Sequence, residues 1–155
     1  MSRFVVAEQG HVVNILAPVD INGGVSSDVF SMKDASHATI IVQVGVSAAT
    51  CDITVEECDN FTPTTHTEIA FAAYKEETAD GDTLGSREAI TSSGFTISGN
   101  NGIFYVFEID AEELTEGYPN LRISFSNPGA SVIASAVAIL SGLAYQGDQT
   151  RTQIA

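Results

Sequence analysis

The sequence has no tryptophan, 2 cysteines, 4 prolines and only 6 lysine and arginine residues in 155. Each scarcity excludes something. Holding a phosphate backbone over a broad surface needs clustered cations, so so few of them exclude a general nucleic-acid binder. A glycosidase cleft usually offers indole platforms, and none can be built here. The longest apolar run, Ser131 to Ala144, is about 14 residues with serines and a glycine inside, against about 20 for a bilayer span. Met1 to Gly10 has no apolar core of signal-peptide length, so the reading is a soluble chain made in a cytoplasm, with no membrane partner. Cys51 and Cys58 end one strand-like run. Extended, they stand about 23 Å apart, far beyond the ~7 Å limit of a disulfide. Two free thiols and a reducing compartment are expected.

What is present is acid and alternation. There are 20 acidic residues, the net charge is −14 and charged residues total 17%, against 44% apolar. That excludes a disordered chain. A chain of this size hides roughly 68–70% of its unfolded surface on folding, enough for a single core without staples. The charge is uneven: 15 acidic and 2 basic residues lie between Asp52 and Glu116, a net of −13. Such a stretch serves as a solvated face or as a surface that orients docking.

Period two dominates the pattern. Leu121, Ile123 and Phe125 alternate with polar neighbours, as do Ile53 and Val55, and Ile103, Tyr105, Phe107 and Ile109 share a face. This is the mark of half-buried antiparallel strands. Strands are expected at 12–16, 28–32, 38–46, 51–57, 66–76, 87–91, 94–98, 103–110, 120–126 and 131–140. Turn residues such as Asn22-Gly23-Gly24 and Asn127-Pro128-Gly129 separate them. The expected fold is all-β, an antiparallel β-sandwich or jelly roll. A short helical connector is expected at 110–114, where Asp110 and Glu113 have capping-box spacing. Thr39–Val46 and Ser131–Leu140 are apolar on both faces and read as strands buried on both sides. The domain spans 11–145, between polar arms at 1–10 and 146–155 that would lie on a neighbour in an assembly.

Chemistry-bearing motifs are sparse. His11, His37 and His66 fall in no zinc spacing, and neither a nucleophile elbow nor a phosphate loop occurs. Asp80-Gly81-Asp82 begins like a calcium loop, but Leu84 and Thr91 stand where the fifth and twelfth ligands belong. A looser cation site from Glu76, Glu77, Asp80 and Asp82 is the remaining metal option. Tyr74, Tyr105, Tyr118 and Tyr145 are candidates for sugar stacking, with strand packing as the plainer role. No catalytic residues and no cofactor are assigned.

Four segments carry a family resemblance: Val13 to Gly24, Ala38 to Gly45, Glu57 to Thr65 and Glu108 to Leu121. With the ending Ser131 to Gln146, they make the chain resemble the small β-rich structural proteins of tailed-phage virions, of the head-decoration or cement type. The resemblance implies a non-enzymatic protein on the capsid exterior. It implies a homo-oligomer, a trimer by the family's habit, clamping the major capsid protein. It brings no catalytic residues. A tail or fibre-associated virion protein, or a glycan- or calcium-binding sandwich, is the alternative. Interface residues are expected in the arms: Phe4, Val5 and Val6 at one end, Tyr145, Gln146, Arg151 and Ile154 at the other. The acidic stretch 52–116 is expected to lie mostly away from contacts between subunits, because like charges there would repel.

Overall fold

A computed structural model describes residues 3–76, 83–144 and 152–154, with Glu76 described by its backbone alone. The chain is an antiparallel β-sandwich. Sheet I runs in the order β1 (His11–Asp20), β12 (Val132–Ser141), β4 (His37–Ser47), β10 (Ile103–Asp110), β7 (Phe71–Glu76), β8 (Glu88–Ile90). Sheet II runs β2 (Val25–Ser26), β11 (Asn120–Phe125), β5 (Asp52–Cys58), β6 (His66–Ile69). In sheet II, β3 (Phe30–Ser31) also pairs with β11, and β9 (Phe95–Thr96) pairs with β5. A four-residue helix α1 (Val6–Gln9) precedes β1.

The alternating residues fill the interior as their spacing requires. Ile103, Tyr105, Phe107 and Ile109 of sheet I and Ile53, Val55, Leu121 and Ile123 of sheet II are all at most 1% exposed. The ring of Phe95 bridges the sheets, edge-on to Tyr105 at 5.2 Å and to Phe107 at 5.9 Å. Tyr105 buries its ring and accepts a hydrogen bond on its hydroxyl from the Ser98 amide at 2.8 Å, so the polar tip is satisfied. Gly94 makes the turn into β9 at φ +69°, and a Cβ there would meet the Ile53 carbonyl oxygen at 2.0 Å. Only glycine fits.

The connector at 111–113 is a single 3-10 turn with both hydrogen bonds of a capping box between Asp110 and Glu113. The chain after it is pinned from below, where the buried Glu57 carboxylate accepts the Thr115 amide at 2.8 Å.

Three expectations need correction. The run 66–76 is two strands, β6 and β7, which lie in different sheets. Alternation continues through this crossing and does not reveal it. Val25–Ser26 is a strand too short and too polar to show a period. The third concerns β4 and β12, which are buried on one face only. Ala38, Ile40, Val42 and Val44 point inward at 0–1% exposure, as do Val132, Ala134, Ala136, Ala138 and Leu140. Their other faces, which include Ile41, Ile133, Val137 and Ile139, are half-buried, and among the described residues no second sheet lies over them.

Candidate docking face

The outer face of sheet I is assembled by register. One row crosses the sheet as Asn14, Val137, Ile41, Val106 and Tyr74. The next toward one end is Ser135, Gln43 and Phe104, closed at β7 by Glu76. The next toward the other end is Val12, Ile139, Thr39 and Glu108. From β1 to β10 the first two rows carry no charged residue. They offer aliphatic and aromatic carbon with a few neutral hydrogen-bonding groups. Val12 is 45% exposed at the edge and Val46 58% exposed near the end of β4.

The N-terminal segment borders this face. Val5 carbonyl hydrogen bonds hold the start of α1, and the Gly10 amide donates to the Val6 carbonyl at 2.8 Å. Phe4 is left 85% exposed. Between this segment and the sheet runs a groove of about 460 Å³, lined by Phe4, Val6, Ile41, Ile139 and the Thr39–Glu108 pair among others. A smaller groove of about 290 Å³ lies at the opposite end of the face, beside Pro18, Phe104 and Ile133.

Charge enters at the Glu108 end and is paired there. Asp110 stands opposite His37, and Glu108 opposite Thr39. The His37 Nδ1 lies 2.6 Å from Asp110 Oδ1 and its Nε2 2.5 Å from Glu108 Oε2. The Thr39 hydroxyl donates to the same Glu108 oxygen at 2.7 Å. Burial opposes the charged imidazole, but hydrogen bonds to Asp110 and Glu108 outweigh it and raise the His37 pKa above 6.5.

Sheet II is different on its outer face. Glu56 faces Arg122 on one side and Glu68 on the other. Arg122 Nε donates to Glu56 Oε2 at 2.5 Å, and His66 Nδ1 lies 3.3 Å from the same oxygen. Asp52, Thr54 and Ser124 continue that polar surface. The acids of the 52–116 stretch that are described fall mainly here, in the loops and on the 3-10 turn. The exceptions stand on sheet I: Glu108 and Asp110 on β10, and Glu76 and Glu88 at the β7–β8 edge, where Glu88 pairs with Lys75 at 3.0 Å.

Of the interface residues expected from sequence, Phe4 and Val6 line the larger groove, and Val5 sits half-buried between them. Ile154 forms an antiparallel bridge with Phe30 of its own chain, and the Ser31 amide donates to the Gln153 carbonyl at 2.9 Å. Tyr145, Gln146 and Arg151 lie outside the described residues, as do Glu77, Asp80 and Asp82 of the candidate cation loop. Of the tyrosines, Tyr105 is in the core, while Tyr74 and Tyr118 are half-buried. Cys51 and Cys58 are free and buried, as their spacing requires. Among the described residues, no helix is long and apolar enough to cross a membrane.

No family model and no curated protein matches the chain. Among solved structures, the chain is similar to the crystal structure of SPBc2 prophage-derived protein YomS. The two are 11% identical with a TM-score of 0.44, over 84% of this chain and 92% of that one.

Proposed function

We propose that the chain is a non-enzymatic structural protein of a phage virion: a decoration protein that lies on the head exterior and stabilises it by contacts with the major capsid protein and with copies of itself. One observation carries this reading, the division of the surface into two unlike sides. From β1 to β10 the two central rows of the outer face of sheet I are uncharged and largely apolar, while the acids stand on sheet II, in the loops and at the margins of sheet I. A protein built in this way rests one side against protein and turns the other to solvent, where its charge keeps it soluble. The sequence resemblance supports the head as the place. A net charge of −14 suits a surface turned away from the packaged nucleic acid.

The tether to the shell is the C-terminal segment, with Tyr145, Gln146, Arg151 and Ile154. Its end pairs with the short edge strand β3, the kind of edge pairing a neighbouring chain can receive instead. Purified full-length chain mixed with undecorated shells is expected to bind to saturation at a fixed ratio and to raise their rupture temperature. Deleting 146–155 is expected to keep the fold and weaken that binding. Failure of the full chain to bind sinks the reading, and a labelled chain seen on tails selects the tail protein instead.

A further inference from the structure

We infer that the outer face of sheet I is covered by the same face of a second copy, in a twofold pair in which Phe4 of each chain enters the groove of the other. This rests on reading the chain as one that works by protein contact, and it names the surface and the occupant.

Charge selects the occupant. Two chains of −14 repel wherever their acids meet, so copies can approach closely only through a face that carries little charge. The rows through Val137, Ile41 and Val106 and through Ser135, Gln43 and Phe104 are such a face. Glu108 and Asp110 at its margin are already held by His37. A strongly basic partner would instead be drawn to the acids of sheet II and the loops.

Area and shape agree. Four strands at ~4.8 Å spacing, over about eight residues at ~3.4 Å, give a flat footprint of about 500 Å² per chain, which takes in the two uncharged rows and the flanking rows, including the one where Glu108 is held by His37 and Thr39. Surface relief, Tyr74 and Phe4 add to this, so a pair clears the ~1,000 Å² expected of a specific interface. Two sheets of one kind pack face to face at ~10 Å, and a patch meeting its own copy closes at two members. Small groups at Ser135 and Gly45 allow close approach. Phe4, 85% exposed beside an apolar groove of about 460 Å³, has the form of an anchor and its socket.

The test is sedimentation equilibrium on the full chain from low to high micromolar concentration, at two salt concentrations. A mass of two chains is expected, and salt is expected to tighten the pair by screening the repulsion that remains. Val137→Arg, at the centre of the face, is expected to leave a monomer with an unchanged far-ultraviolet spectrum. Should Val137→Arg fail to fold, Phe4→Ser decides, because Phe4 lies outside the core and its loss is expected to weaken pairing at least about tenfold. Ser124→Arg on sheet II should leave pairing unchanged. A monomeric wild-type chain, a threefold mass, or a dimer indifferent to both Phe4→Ser and Val137→Arg overturns the inference. A pair that forms without binding shells upholds it and defeats the virion reading. Shell binding by a chain that stays monomeric does the reverse.

Discussion

Phe104 and Phe107 sit three residues apart on β10 and face opposite ways, so truncating each in turn measures which side of sheet I is the interior. Phe107 is fully buried, with its ring 4.8 Å from Phe71 and 5.9 Å from Phe95 across the sandwich. Phe107→Ala leaves a void of roughly 80 Å³, worth about 2 kcal/mol at ~24 cal/mol per Å³, and the lost transfer energy adds about 2 more. The expected cost is therefore about 4 kcal/mol, a large part of the ~5–15 kcal/mol that holds a domain together. For a chain of this length it lowers the Tm by about 8–16 °C. Phe104 is half-buried on the outer face, where truncation opens no void, and Phe104→Ala is expected to cost about 1 kcal/mol. Urea melts of both variants, at concentrations low enough to keep any pair apart, give the two values directly. Equal costs, or a larger cost for Phe104→Ala, would refute the assignment of inner and outer faces and everything built on it.

Two further outcomes follow from the titrating groups. The His37 pKa is raised in the folded chain, so its contribution is complete below the unfolded value of about 6.5 and fades as pH rises through the folded one. Half-exposure and screening hold this to about 0.5–1 kcal/mol, and His37→Gln should remove that pH dependence from the denaturation midpoint measured between pH 5 and 9. Burial pushes the Cys51 and Cys58 thiols up to about 11, with Asp52 adding to the effect at Cys51. A disulfide reagent at pH 8 should therefore modify neither in the native protein and both in denaturant; fast native labelling would show that the strand ends are open.

The sandwich was legible because its strands alternate. Every long strand falls within a few residues of its period-two run, and the capping-box spacing at Asp110 and Glu113 located the 3-10 turn. The elements that escaped were those whose register matters more than their composition. The crossing between β6 and β7 leaves no mark on the alternation. The His37 cluster joins residues 71 and 73 positions apart, and it could be found only by knowing that β4 pairs with β10. The acidic run 52–116 showed where charge sits along the chain, but not that Glu76, Glu88, Glu108 and Asp110 would stand on sheet I and Asp52, Glu56, Glu57 and Glu68 on sheet II. Composition on β4 and β12 did announce two apolar faces, but one chain's alternation does not say that only one of them is covered by the sandwich.

That second face is the feature most in need of a physical cause, and sheet II shows why the sandwich itself does not supply one. Both sheets close over the same core. Sheet II does so while turning Asp52, Thr54, Arg122 and Ser124 outward around the buried Glu56 that pairs with Arg122, a polar outer face of the kind an antiparallel sheet ordinarily shows. Sheet I at the corresponding outward positions carries Ile41, Phe104, Val106, Val137 and Ile139, all half-buried. Packing between the sheets is indifferent to these outward residues, so polar substitutes there would cost the monomer little and improve its solubility. The apolar choice is what the proposed contact with a second copy requires. The uncharged centre of the face lets such a contact be dry and close, and Val137→Arg is the substitution that would forbid it.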